Sequence, residues 1–68
     1  MMVVLNGRPT ELSERSTLAD AVAAAGAEAD ARGVAVAVEG EVVPRARWAE
    51  RRLAEGEDVE VVRAVQGG

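Results

Sequence analysis

The first apolar segment of this 68-residue chain is MMVVLN at residues 1–6, a short run of the kind found in buried strands. GRP follows at residues 7–9 and predicts a turn, because glycine accepts a positive φ and proline fixes its own φ. TELS at residues 10–13 then alternates polar and apolar positions. We therefore expect a β-hairpin whose return strand covers residues 10–13.

Valine and alanine alternate in VAVAV at residues 34–38, so the valines face one way and the alanines the other. Glu39 and Gly40 interrupt this alternation before EVV, which predicts the turn of a second hairpin. Pro44 ends its second arm, because proline cannot donate a hydrogen bond to the ladder.

A last strand is expected over residues 59–65, VEVVRAV. Val59 and Val61 share one face of this strand, and Val62 points to the other. Because the strand is apolar on both faces around Val61 and Val62, we expect it in the middle of a sheet.

Between the hairpins, STLADAVAAAG at residues 16–26 has the spacing of a helix with one apolar face. Thr17 with Asp20 is a weaker form of the capping box, since Asp replaces Glu or Gln. Gly26 is placed to end the helix in a left-handed cap. The apolar residues at helical spacing are Leu18, Ala21, Val22 and Ala25.

The remaining segments are less regular. Residues 27–33 are small and polar, which indicates a connector. Pro44 favours a short turn of helix over residues 45–48. Trp48 and Leu53 are the expected core anchors of this region, with the indole N–H of Trp48 hydrogen-bonded. Its arginines are expected to form a solubilising surface, made of Arg45, Arg47, Arg51 and Arg52.

Together these elements predict an α+β fold in which one main helix packs on one face of a mixed sheet of four to five strands. With the last strand central and parallel to the first, this is the β-grasp arrangement. We expect a single domain over residues 1–65, followed by a flexible tail at residues 66–68. A domain of this size buries only about 60% of its unfolded surface, so its core is thin.

Composition excludes several classes of function. The chain has no His, Cys, Tyr or Lys, so the usual general base and the strongest nucleophiles are missing, and so are the usual zinc ligands. The adjacent acids Glu57 and Asp58 are better explained as a solvated turn than as a catalytic pair. No enzyme activity and no metal site are therefore expected.

Charge and hydropathy limit the partners. The net charge of −4 argues against nucleic-acid binding and favours a partner with a basic docking surface. The longest apolar run, VAVAV, is too short to cross a bilayer, and the N-terminus lacks the layout of a signal peptide. We expect a cytoplasmic protein that does not bind membranes.

The motifs resemble those of a known family over essentially the whole chain. VVPRARW at residues 42–48 resembles the Val-Pro-Arg…Trp signature of the bacterial sulfur carriers of thiamine biosynthesis, the ThiS family of ubiquitin-like β-grasp proteins. LNGRP, TLADAV, EGEDVEVV and the final Gly-Gly follow in the family's order and spacing. Glu39 departs from the pattern, because the family usually has Asn there, and Asn tolerates left-handed conformations better.

The resemblance implies that the chemistry takes place on the C-terminal carboxylate of Gly68. A ThiF-like enzyme would adenylate this carboxylate with ATP, and a persulfide, such as that of a cysteine desulfurase, would supply sulfur. The resulting thiocarboxylate would donate its sulfur to a ThiG-like thiazole synthase. No stably bound cofactor is implied for the carrier itself.

Residues 66–68, fully extended, reach about 10 Å at ~3.3–3.6 Å per residue. Because Gly67 and Gly68 have no side chains, they can enter a narrow channel in a partner. Val62 and Ala64 are expected on the open face of the sheet, where they and Gln66 are candidates for docking the activating enzyme.

Three alternatives remain open at this point. The small subunit of molybdopterin synthase shares the fold, the Gly-Gly end and the thiocarboxylate. A ubiquitin-like modifier would instead be joined through Gly68 to lysines of target proteins. The domain is also compatible with an interaction module whose tail is inert.

Overall fold

The computed structural model of the chain describes residues 1–27 and 33–63, as five strands, one α-helix and one short 3-10 helix. Most of the predicted connector, residues 28–32, and the last five residues, 64–68, lie outside the described residues. The elements are β1 Met2–Leu5, β2 Arg8–Glu11, α1 Leu18–Ala24, β3 Val34–Val38, β4 Glu41–Val42, the 3-10 helix Arg45–Arg47 and β5 Asp58–Arg63.

The strands form one mixed sheet in the order β2-β1-β5-β3-β4. β5 lies in the centre, parallel to β1 and antiparallel to β3. Both outer pairs, β1 with β2 and β3 with β4, are antiparallel hairpins. The predicted α+β β-grasp fold is therefore confirmed, and so is the central position of the last strand.

The first hairpin turns earlier than the sequence analysis predicted. The two turn residues are Asn6 and Gly7, with φ of 51° and 81°, and β2 begins at Arg8. Asn-Gly is the preferred pair for a two-residue turn with positive φ at both positions, and here it takes precedence over GRP. The prediction of a return strand at residues 10–13 was wrong by two residues. Pro9 is tolerated within β2 because this strand lies at an edge of the sheet.

The second hairpin turns where it was predicted. Glu39 and Gly40 have φ of 51° and 82°, so Glu39 takes the left-handed conformation itself. Val36 and Val38 are buried while Ala35 is exposed, which confirms the predicted alternation. β4 ends at Val42, one residue before the predicted end of the arm.

Helix α1 is capped at both ends as the sequence indicated. The Asp20 carboxylate accepts a hydrogen bond from the backbone N–H of Thr17 at 2.8 Å, so the shorter Asp side chain still reaches the N-cap. Gly26 follows the helix with φ of 84° and donates to the carbonyl of Ala23. Ala27 donates to the carbonyl of Val22, which completes a Schellman motif.

The core lies between α1 and the sheet face that it covers, and the segment after β4 contributes two side chains to it. Trp48 is only 2% exposed, and its indole N–H donates to the carbonyl of Val43 at 2.9 Å. Leu53 is buried in the same cluster, so both predicted anchors are confirmed. The buried apolar residues are Val3, Leu5, Leu18, Ala21, Val22, Ala27, Val36, Val38, Trp48, Leu53, Val59 and Val61.

Candidate functional site

Strand β5 has one buried face and one exposed face. Val59 and Val61 point toward α1 and are 0% and 9% exposed. Val62 points away from the helix and is 57% exposed. The sequence-based prediction that Val62 lies on the open face of the sheet is therefore confirmed.

Four apolar side chains lie together on this open face, and we call them the open-face patch: Ala35, Ala37, Val42 and Val62. The register places Ala35 opposite Val62 and Ala37 opposite Val42, so the four residues are continuous across β5, β3 and β4. Val42 is 70% exposed. The four side chains therefore form one apolar group on the sheet face opposite the core.

The open face of the sheet has a uniform charge. Glu60 lies opposite Ala37, and Asp58 lies opposite Val4, so both point to the open face with the patch. The two strand arginines, Arg8 and Arg63, are instead on the helix side. Within the five strands of the described chain, the charged residues on the open face are therefore all acidic.

Arg63 connects the end of β5 to the helix. It is paired with Val34 of β3, and its guanidinium donates to the carbonyl of Gly26 at the α1 cap. The last described residue of the chain is thus held by both β3 and the end of α1.

Two side chains expected in solvated segments form an ion pair instead. Arg51 Nη2 lies 2.9 Å from Glu57 Oε2, and the Glu57 side chain is only 18% exposed. The hydrogen bond from Arg51 lowers the pKa of Glu57, helped by the backbone N–H of Ala54 and opposed by desolvation. The same bond raises the pKa of Arg51. The prediction of solvated side chains was wrong for this pair, which links the segment after β4 to the start of β5.

The other arginines of this segment lie at the surface. Arg47 pairs with Glu50 at 2.8 Å, and both side chains are mostly exposed. The Arg45 guanidinium lies 5.6 Å from the ring centre of Trp48, where it covers the indole. Arg52 is exposed.

The remaining predicted site residues, Ala64, Gln66, Gly67 and Gly68, lie outside the described residues. Within residues 1–27 and 33–63, no three acidic side chains come together as they would around a metal ion. No helix in the same two ranges has the length and hydropathy needed to cross a bilayer.

The sequence analysis did not single out Ala35, Ala37 and Val42 as possible docking residues. The sequence could have shown on which face of the sheet they lie. The alternation of β3 places Ala35 and Ala37 on one face, and the two-residue turn fixes the pairing of Val42 with Ala37. Their position beside Val62 could not be predicted, because it depends on the register between β3 and β5.

Comparison with known proteins identifies the family of this chain. The model of the ThiS family matches residues 3–68, which includes the Gly-Gly end. This chain belongs to the ThiS family. Proteins of this family are small sulfur carriers of thiamine biosynthesis and are not enzymes themselves.

Solved structures agree with this assignment. The crystal structure of the thiamine biosynthesis protein ThiS from Geobacter metallireducens is similar, with a TM-score of 0.78, 27% identity and 100% of both chains covered. A solution NMR structure from the same organism gives a TM-score of 0.77 and 27% identity, covering 100% of this chain and 88% of that one. Among curated proteins, none matches this chain significantly.

Proposed function

We propose that this ThiS-family chain carries sulfur on the C-terminal carboxylate of Gly68 and delivers it for thiazole formation. The carboxylate is adenylated by a ThiF-like enzyme, converted to a thiocarboxylate and consumed by a ThiG-like thiazole synthase. The observation that carries the proposal is the family match over residues 3–68, which extends through both glycines.

The chemistry requires activation because a carboxylate is a poor acyl donor. Attack of the Gly68 carboxylate on ATP releases pyrophosphate and gives an acyl-adenylate, whose leaving group is AMP. A persulfide sulfur then attacks the acyl carbon and displaces AMP, and a reducing thiol cleaves the S–S bond to leave the thiocarboxylate. ATP is consumed by the partner and is not a resident cofactor of the carrier.

The fold supports this role mechanically. β5 is the central strand, with Val59 and Val61 buried, and it is the last described element before the tail. A tail that follows the central strand starts from the best-anchored part of a small sheet. The domain at residues 1–65 would hold the tail, and residues 66–68 would reach into the active site of the partner.

We further propose that the open-face patch docks the activating enzyme. The patch joins Val62 to Ala35, Ala37 and Val42, and the strand charges beside it are Asp58 and Glu60. The matching surface on the partner would therefore be apolar with a basic rim, which speeds encounter and orients the two proteins. Ala64 and Gln66 remain proposed contacts that come after Val62 in the chain.

The thiamine branch is favoured over the molybdopterin branch by the family match and by the similarity to the two Geobacter metallireducens structures. Conjugation of Gly68 to target lysines remains a separate outcome, which intact mass distinguishes from sulfur loading.

The test is an intact-mass measurement after incubation with a ThiF-like enzyme, ATP, Mg²⁺ and sulfide. A mass gain equal to the exchange of one oxygen for sulfur, mapped to Gly68, is the expected result. No gain with an enzyme that thiolates its own carrier would contradict the proposal. Conjugates of higher mass formed with added target proteins would point to a modifier.

A further inference from the structure

The central strand extends beyond each of its neighbours at one end. β1 pairs with β5 only as far as Val59 and then turns at Asn6. β3 reaches Val59 from the opposite direction and then turns at Glu39. Val61 therefore lies beyond the end of β1, and Asp58 lies beyond the end of β3.

Asn6 fills the gap beside Val61. Its backbone N–H donates to the carbonyl of Val59 at 2.8 Å, as a parallel ladder requires. Its side-chain Oδ1 then accepts from the N–H of Val61 at 2.7 Å. The amide of Asn6 thus replaces the backbone carbonyl that β1 would have supplied had the strand continued.

Glu39 does the same at the other end and on the other edge of β5. Its backbone N–H donates to the carbonyl of Asp58 at 2.8 Å, and its Oε2 accepts from the N–H of Asp58 at 2.7 Å. Both residues are the first of a two-residue turn, and both have φ of 51°. The first residue of each turn therefore binds one end of the central strand through the same pair of hydrogen bonds, one from its backbone N–H and one to its side-chain oxygen.

Only one of the two ends of β5 leads into the tail. Asp58 begins β5, whereas Val61 lies near its end, two residues before Arg63, where the described part of the strand stops. On the β1 side, β1 pairing ends at Val59, so the Asn6 side chain is the contact that continues it to Val61. On the other side, β3 stays paired through Arg63. Val61 is therefore held by Asn6 on one edge and by β3 on the other, and loss of the Asn6 bond would leave it held on one edge only, where local opening is easier.

We propose that Asn6 is a positioning residue for sulfur loading: by bonding the N–H of Val61 it fixes the direction in which the chain leaves β5 toward Gly68. This proposal rests on the proposed function. Asn6 acts through Val61 and does not touch the reacting carboxylate. Glu39, at the far end of β5, stabilises the fold without affecting the tail.

Substitution by glycine distinguishes the effect of the hydrogen bond from the effect of the turn conformation. Gly fits both central positions of such a turn, so Asn6→Gly keeps the backbone conformation and removes the acceptor. Asn6→Asp keeps an acceptor oxygen. Glu39→Gly is the matched control, because it removes the equivalent bond from the opposite end of β5 at the same φ.

The first measurement is amide hydrogen exchange by NMR. Asn6→Gly should speed exchange of the Val61 amide by about tenfold, the size expected from loss of one hydrogen bond. Asn6→Asp should restore the protection, and Glu39→Gly should expose the Asp58 amide instead. Unchanged Val61 protection in Asn6→Gly would overturn the proposal.

If Asn6→Gly does not fold, Asn6→Asp still tests the contact. The chemical shift of the Val61 amide should then titrate with the introduced carboxyl, because the bonded acceptor gains and loses charge. A Val61 shift that does not follow that titration would overturn the proposal.

The second measurement is the rate of thiocarboxylate formation against carrier concentration. Asn6→Gly should lower kcat by about tenfold with KM nearly unchanged, because docking is intact and only the placement of the reacting group is lost. Asn6→Asp and Glu39→Gly should keep the wild-type kcat. Equal kcat values for the two glycine variants would overturn the positioning role.

The two proposals fail in different ways. If the wild-type chain takes no sulfur, the proposed function fails, whatever the exchange of Val61 shows. If the wild type is active and Asn6→Gly is equally active, the positioning role fails alone.

Discussion

At the scale of single residues, alternation along β5 assigns two different tasks to chemically identical side chains. Val59 and Val61 are buried under α1 and stabilise the fold, while Val62 is exposed beside Ala35. The same substitution therefore affects different properties at neighbouring positions, stability at one and binding at the other. Removing apolar surface from Val61 costs core packing, whereas removing it from Val62 affects only what binds there.

Val62→Asp is expected to weaken the interaction with the activating enzyme and to leave the fold intact. It places a charge in the apolar patch and adds to the acidic residues Asp58 and Glu60. KM for thiocarboxylate formation should rise about tenfold or more, as for a hot-spot residue costing over ~1 kcal/mol, while kcat is retained. Steady-state kinetics measure both.

The matched control is Ala49→Asp, which adds the same charge at an exposed position after Trp48, in the segment that contacts α1. It should leave KM unchanged. A similar rise in KM for both variants would show that net charge, and not the patch, is responsible.

Trp48 is the largest side chain buried in the thin core. Trp48→Ala should destabilise the protein by about 3–5 kcal/mol through the cavity it leaves. That is a large part of the stability of a domain this small, at roughly 0.05–0.15 kcal/mol per residue. Trp48→Phe keeps a ring but removes the bond to the Val43 carbonyl, at a cost of about 1–3 kcal/mol.

Urea unfolding followed by far-UV circular dichroism measures both variants, since Trp48 is the only tryptophan and its fluorescence is lost. Equal costs for the two variants would show that the hydrogen bond matters more than the packing of the ring.

At the scale of elements, the long connection from β4 to β5 is held by specific contacts and little regular structure. Its 3-10 helix covers only Arg45–Arg47. Trp48 and Leu53 enter the core, the Leu18 N–H donates to the carbonyl of Arg51, and Arg51 pairs with Glu57. The middle of the connection is therefore held against α1, and the Arg51–Glu57 pair ties it to the residue that precedes β5.

The Arg51–Glu57 pair predicts a pH dependence of stability. The pKa of Glu57 is below its ordinary value in the folded protein, so the unfolded chain takes up this proton first as the pH falls. The stabilisation is present above the ordinary pKa of glutamate and is lost as the pH drops toward the folded pKa. Glu57→Gln should be less stable than the wild type near neutral pH, with a smaller difference at about pH 3.

Urea midpoints at the two pH values measure this difference. Glu50→Gln is the control, since the Arg47–Glu50 pair is exposed and such pairs contribute little at any pH. A difference between Glu57→Gln and the wild type that does not change with pH would contradict the assignment.

The elements predicted correctly are those set by signals within a few residues of the sequence. α1 and both of its caps follow from spacing, from Thr17 and Asp20, and from Gly26, and all are found. The first turn was misplaced because two local signals compete, Asn6-Gly7 against GRP. Only the pairing with β1 shows that Pro9 lies in an edge strand, where its missing N–H is tolerated.

At the scale of the whole molecule, the two sides of the sheet have different roles. One side is covered by α1 and contains the core. The other exposes the open-face patch beside acidic strand residues. In the proposed function this separation lets the chain dock through one face while the tail after β5 reaches into the partner.

Adding one alanine after Gly68 is expected to abolish thiocarboxylate formation, because the activated group of the proposed reaction is the carboxylate of that glycine. The extended chain should retain the wild-type free energy of unfolding and should inhibit the reaction of the wild-type chain, since the open-face patch is unchanged. Intact mass and competition kinetics measure the two effects. Sulfur loading of the extended chain at the wild-type rate would contradict the proposal.

The sequence by itself determined the order of elements, the β-grasp fold and the side of the sheet on which Val62 lies, because periodicity, caps and turns act over a few residues. Only the tertiary structure decided which side chains meet. Ala35 reaches Val62, Asn6 reaches Val61, and Glu39 reaches Asp58, through registers between distant strands. Those registers come from burying Val36, Val59 and Val61 together under α1, a non-local packing effect that no short stretch of sequence contains.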